Sequence, residues 1–211
     1  MRLAAHVVTC PERRASLEAT LARFRDTDWG APPELQMDDG AAPNKLARIH
    51  ATWLNVLEKV AAGTDDFALI LEDDLDFNRH LRHNLTGWGP LRAVGDGNLP
   101  FFGSIYNPDR PPFWRPTGGD YFIVQPQQMW GAQAVLVSRR TAAYFLAHWQ
   151  EEQGAADLRM PRLAARLAPV YLHAPSLVQH VSDASTWGGR SHTAPDFDPD
   201  WRASVRSGRR G

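Results

Sequence analysis

The chain has 211 residues, 43% of them hydrophobic and 22% charged, with a formal net charge of −1. Those values exclude a disordered or fibrous protein, and a charge so near zero gives no general pull toward nucleic acid. No stretch approaches the ~18 continuous apolar residues of a membrane helix and the first residues hold no secretory apolar core, so a cytoplasmic protein built as one α/β domain is expected.

In chain order, "RLAAHVVTC" alternates loosely and becomes β-branched, which predicts a strand over Leu3–Thr9. The lone Cys10 ends that run before a proline and reads as a packed thiol rather than a nucleophile. "PERRASLEATLARF" places proline at a helix start and spaces Leu17, Leu21 and Phe24 at helical period. "PELQMDDG" predicts a short strand, Glu34–Met37, that delivers Asp38 and Asp39 to its end. "NKLARIHATWLNVLEKVAAG" is the clearest helix, with Leu46, Ile49, Trp53, Val56, Leu57 and Val60 on one face and Gly63 closing it.

"FALILEDDLDF" then raises the main question, because a run suited to a central parallel strand ends in Glu72, Asp73 and Asp74, followed by Asp76. Carboxylates so close repel and lose hydration, so they must face water, meet basic partners or hold a cation; capping a following helix is the structural alternative. Ligands of doubly wound sheets bind at the carboxyl ends of strands, so Thr9, Asp38, Asp39 and the acidic cluster are expected to share one crevice. Thr9, with Arg13 or Arg14, suits a base or a phosphate; Asp39 suits a ribose or base donor; Lys45 and Arg48, opening a helix, suit a pyrophosphate. Neither a P-loop nor a G-x-G-x-x-G motif is present.

Downstream, many of the eight Trp and 16 Pro fall between Trp88 and Trp130, which suggests a ring-lined loop region, with Trp114 and Tyr121 as stacking surfaces. "LPFFGSIY", "DYFIVQP" and "GAQAVLVS" read as strands, "SRRTAAYFLAHWQEE" as a helix capped by Ser138, "DLRMPRLAARL" as a helix started or interrupted by Pro161, and "PVYLHAPSLVQHVSD" as one or two last strands. The residues from Trp187 to Gly211 show little apolar periodicity, which predicts a domain over 1–186 and a flexible tail or lid over 187–211.

"ALILEDDLDF", "MWGAQAVLVSRRTAAYFL" and "PSLVQHVSDAST" occur in the order seen in GT-A-type nucleotide-sugar glycosyltransferases, and the chain most resembles the family 25 group associated with lipopolysaccharide sugars. The resemblance implies a GT-A-like, Rossmann-type mixed sheet flanked by helices, and transfer of a sugar from a nucleotide-sugar donor, a UDP-sugar above all, to an acceptor hydroxyl. It implies an Mn²⁺ or Mg²⁺ ion held by Asp74, with His180 as a second ligand; a buried core histidine is the alternative for His180. Asp73 or Glu72 would contact the ribose or a metal-bound water. Asp157 falls where related enzymes place an acid near the acceptor, and is either the base or a helix cap; Trp130 and Gly131 would shape the acceptor floor. The Cys-Pro turn and the "RIHATWLNVL" helix depart from that group's pattern. A glycan is the implied acceptor, with a hydroxylated DNA base a further one that Arg202, Arg206, Arg209 and Arg210 would favour and Asp196, Asp198 and Asp200 would oppose. The rival readings are a Mg²⁺-dependent phosphoryl transferase or nuclease and a non-catalytic glycan-binding module.

Overall fold

Every side chain of Phe67–Leu71 is buried, which explains why this stretch reads as an unbroken apolar run rather than an alternating one. Phe67, Leu69 and Leu71 point into one core and Ala68 and Ile70 into another, on the two faces of a single sheet. A computed structural model of the chain describes residues 1–108, 116, 119–181 and 192–204.

Among the described residues the sheet has seven strands: β1 (Leu3–Thr9), β2 (Glu34–Met37), β3 (Phe67–Leu71), β5 (Phe102–Ser104), β6 (Tyr121–Val124), β7 (Ala134–Ser138) and β8 (Val170–His173), in the order β2-β1-β3-β7-β5-β8-β6. β1 is parallel to β2 and β3, and β5 to β8, while β7 runs against both β3 and β5 and β6 against β8. The expected mixed sheet flanked by helices is therefore what the chain forms, although β3 is parallel to a neighbour on one side only.

Among the described residues six α-helices cover the sheet. α2 (Lys45–Ala62), α5 (Arg139–His148) and α6 (Ala156–Ala164) lie over the core of Val8, Ala68 and Ile70; α1 (Arg14–Arg25), α3 (Leu81–Gly87) and α4 (Gly89–Val94) lie over that of Val7, Leu69 and Leu71. α2 begins where Asn44 Oδ1 accepts the Ala47 N–H at 3.0 Å, and α5 where the Ser138 hydroxyl accepts that of Thr141 at 3.2 Å, each satisfying an amide that the first helical turn leaves open. Pro161 sits inside α6 rather than at its start.

Three expectations are corrected. No helix follows the acids: the chain continues into β4 (Leu75–Phe77), which pairs antiparallel with β9 (Val178–His180), and the next helix begins only at Leu81, so Asp73 and Asp74 are not helix caps. The ring-rich stretch is largely core, because Trp88, Phe101, Phe102 and Tyr106 are buried and Trp88 packs edge-on to Phe101 at 5.4 Å; Trp114 lies outside the described residues. Residues 192–204 are not loose. Asn78 Nδ2 donates to the carbonyls of Asp198 and Trp201, both at 2.8 Å, and the Ala203 N–H donates to Asn84 Oδ1 at 2.9 Å. Polar side chains of the body thus grip backbone groups of the segment while Ala194, Phe197 and Trp201 pack against the core, too few to mark the segment as an element. The rest of the expected tail, apart from these residues, lies outside the described residues.

Candidate active site

Helix α1 builds the acidic turn. The Thr20 hydroxyl, buried on its inner face, donates to the Asp73 carbonyl at 2.8 Å and accepts the Leu75 N–H at 3.0 Å; the Ser16 hydroxyl donates to the same carbonyl at 2.8 Å. On the other side the Glu72 N–H donates to the Gln133 carbonyl at 2.8 Å, and the Val181 N–H to the Asp74 carbonyl at 2.9 Å. The turn is therefore fixed from three distant parts of the chain, and its carboxyl groups are aimed by backbone bonds rather than by their own preferences.

The side chains form a compact charged group. Asp73 accepts from the Thr9 hydroxyl at the end of β1 and, at 2.5 Å, from Arg13 Nε. Arg13 Nη2 donates to Asp74, and His180 Nε2 lies 3.1 Å from Asp74 Oδ2. The β4–β9 ladder makes this last contact by setting Leu75 opposite His180. Burial would raise the Asp74 carboxyl, but hydrogen bonds and charge from His180 and Arg13 outweigh it and hold the group below the usual carboxylate range. For Asp73, burial prevails over Thr9 and Arg13 and the carboxyl is raised. For Glu72, burial followed by the charges of Asp74, Asp73 and Asp157 outweighs the charge of Arg13 and pushes the carboxyl up to about 8.

Around this centre the expected residues divide. Asp38 is buried, with its N–H on the Thr9 carbonyl at 2.9 Å and its carboxylate on Arg48, which also reaches Glu12 at 3.2 Å. Asp39 is exposed and accepts only from the Ala41 N–H, at 2.9 Å, among its described contacts. Lys45 is exposed in the first turn of α2. Arg14 points to solvent and pairs with Glu18 at 3.0 Å, so Arg13 is the arginine that meets the acids. Asp157 stands in the first turn of α6, two residues past the cap at Ala155, and its charge reaches Glu72. Burial raises its carboxyl, opposed by the N–H groups of Leu158 and Asp157 itself. Gly131 has φ +76°, and a Cβ there would stand 1.9 Å from Gln133 Oε1, so glycine is required where the chain folds back toward Glu72. Trp130 beside it is 57% exposed.

A divalent ion that takes most of its shell from diphosphate and water needs only one or two protein side chains. Asp74 with His180 fits that requirement: Asp74 Oδ1 is buried without a hydrogen-bond partner, and His180 Nε2 stands 3.1 Å from Asp74 Oδ2, so an ion held by both residues would take the place of the imidazole proton between them. Among the described residues no group of three His, Cys, Asp or Glu side chains is placed to hold an ion by itself.

Solved structures then supply the comparison. A glycosyltransferase involved in the glycosylation of the major capsid of PBCV-1 superposes with a TM-score of 0.54 at 11% identity, covering 88% of this chain and 95% of that one. The fold is glycosyltransferase-like. A protein from STIV covers 98% of this chain and is itself covered fully, at 12% identity and a TM-score of 0.49. The sequence matches no family model and no curated protein.

In this glycosyltransferase-like frame Ser16, Thr20 and Gln133, which hold the acidic turn, are not foreseen from the sequence, and Arg13 and Arg14 stand there as alternatives, of which Arg13 meets the acids. A signal existed for Thr20, a polar residue on the apolar face of α1 between Leu17 and Phe24, where a buried hydroxyl must have a partner. None separated the two arginines, because the short helical turn at Pro11–Arg13 decides which one faces the sheet.

Proposed function

We propose that this chain is a divalent-ion-assisted glycosyltransferase that moves a sugar from a nucleotide-sugar donor, foremost a UDP-sugar, to a hydroxyl of a glycan. The observation that supports it best is the meeting of Asp74 with His180, 106 residues apart, at the carboxyl end of β3 in a glycosyltransferase-like fold. Transfer breaks the bond between the anomeric carbon and the diphosphate, so negative charge grows on the leaving oxygens; a bound Mn²⁺ or Mg²⁺ supplies the charge that stabilises it. Asp74 and His180 would hold the ion. Asp73, clamped by Thr9 and Arg13, keeps Asp74 in place, and Glu72, retaining its proton near neutrality, can donate a hydrogen bond to a ribose or to water.

Asp157 is the candidate base: its raised proton affinity suits the uptake of the acceptor proton, and direct displacement with such a base inverts the anomeric centre. Exposed Trp130 offers a ring face for the acceptor sugar. The closer resemblance to the family 25 group rests on the motifs alone. A DNA acceptor has less support, since Asp196, Asp198 and Asp200 oppose the charge of the C-terminal arginines, of which Arg206, Arg209 and Arg210 lie outside the described residues. Among the described residues no helix is long and apolar enough to cross a membrane.

The test is release of nucleotide and sugar from a panel of UDP-, GDP- and CMP-sugars with Mn²⁺, in EDTA, and with Asp74→Asn. Release from one donor that vanishes in EDTA and in a folded Asp74→Asn variant is expected. Turnover of none, with hydrolysis of a phosphate ester or nucleic acid instead, would transfer the acidic cluster to a phosphoryl-transfer enzyme; glycan binding without any turnover would leave a binding module.

A further inference from the structure

Arg13 brings positive charge to the acidic site. It ends the short helical turn after β1, and its guanidinium spans the two acids, with Nε 2.5 Å from Asp73 Oδ1 and Nη2 on Asp74 Oδ2. Asp73 and Asp74 are 3% and 6% exposed, so adjacent carboxylates are withdrawn from water and require a positive partner even when no substrate is bound. Arg13 provides it. The oxygen it holds on Asp74 is also the one that faces His180, so an ion shared between Asp74 and His180 would meet a guanidinium already on that oxygen. At such separations two cations repel strongly, and the ion and the Asp74 arm of Arg13 exclude each other. The Asp73 arm, on a different carboxylate, can stay in place and serve as a pivot.

We propose that Arg13 is a positioning residue that makes binding of the divalent ion conditional on the diphosphate: it neutralises the acid pair in the substrate-free protein and leaves Asp74 for the diphosphate oxygens as the ion arrives. The inference rests on the proposed glycosyltransferase reading. Without diphosphate, an ion at Asp74 must displace the guanidinium from a buried carboxylate, and the loss of that ion pair opposes its binding. With diphosphate present, the ion and Arg13 each gain oxygen partners, and a planar fork of donors is suited to phosphate oxygens. No bond is made or broken in this step, only an exchange of ion pairs. The function of the arginine is thus to delay assembly of a charged site until the substrate that needs it is present.

The experiment measures Mn²⁺ binding by loss of the free-ion electron paramagnetic resonance signal, with and without inorganic pyrophosphate, a protein-free control correcting for the ion that pyrophosphate itself binds. In the wild-type protein, pyrophosphate should tighten Mn²⁺ binding about 10-fold or more, since it removes the competing charge from Asp74. Arg13→Gln should bind Mn²⁺ alone about 10-fold more tightly than wild type and gain little from pyrophosphate, while Arg13→Lys, which keeps the charge but loses the fork that spans both acids, should fall between the two. A merely structural arginine would leave the dependence on pyrophosphate unchanged or weaken all binding together. Equal Mn²⁺ affinity of wild type and Arg13→Gln without pyrophosphate overturns the proposal. So does a wild-type affinity that pyrophosphate does not change, a measurement that decides the matter even if Arg13→Gln fails to fold. Intact coupling with no sugar transfer from any donor would refute the transferase reading and leave the role of Arg13 standing.

Discussion

Glu72 is the acid of the cluster for which burial and like charge most outweigh the charge of Arg13, and replacing it should stabilise the metal-free protein at alkaline pH. Its carboxyl is raised from 4.5 to about 8 by burial and by Asp74, Asp73 and Asp157. In the unfolded chain Glu72 loses its proton near pH 4.5, while in the folded protein it keeps it until about pH 8. Between those values the folded state binds more protons, so stability falls as pH rises through the window and is fully reduced above it. At about 1.4 kcal/mol per pH unit, the window corresponds to an upper limit of ~5 kcal/mol. Water at the half-buried carboxyl and adjustment of Arg13 lower this, and about 2 kcal/mol is the expected effect. Glu72→Gln preserves shape and removes the titration. Thermal melts of both proteins in EDTA from pH 5 to 9 should therefore converge at the acid end and diverge at the alkaline end, where the variant melts roughly 5 °C higher. Parallel curves would refute the reasoning, because they would mean that Glu72 ionises in the fold as readily as in the open chain.

Further expectations concern the base, the turn and the buried histidine. Asp157→Asn should lower sugar transfer roughly 10²- to 10⁴-fold while leaving metal-dependent nucleotide binding near wild type, as titration calorimetry would read; normal transfer would reduce Asp157 to a first-turn helix acid. Thr20→Val keeps the volume of the side chain but strands the Leu75 N–H, at a cost of about 1–3 kcal/mol in urea unfolding; an unchanged midpoint would show that the turn holds without it. His173 is fully buried and donates from Nδ1 to the Pro175 carbonyl at 2.6 Å; burial, foremost, lowers it to about 4. Being neutral in the fold, it contributes stability that is whole above pH 6.5 and is lost as pH falls toward 4, so His173→Asn should flatten the acid limb of the wild-type stability curve. If the two acid limbs coincide, other groups govern acid unfolding.

Local chemistry alone determined the elements. β1, β2 and β3 are legible because their residues suit a pleated surface between turn signals, and α2 because its apolar positions recur at the period of a helix. The acids after Leu71 announced a site for the same reason: three like charges at the mouth of a buried strand need a partner wherever the rest of the chain goes. Which partners they have was a tertiary matter. His180 reaches Asp74 only because β9 pairs with β4 in one register, and a slip of a single residue would turn its ring to the other face. Arg13 rather than Arg14 meets the acids because a short helical turn sets the rotation of α1, a difference to which composition and spacing are blind. The docking of residues 192–204 was hidden in a further way, since Asn78 and Asn84 hold backbone groups that every residue carries and the apolar anchors Ala194, Phe197 and Trp201 are too few to mark an element. Periodicity records what a segment buries against a face, whereas register, helix rotation and backbone capture depend on the positions of other segments, and only the folded chain has those.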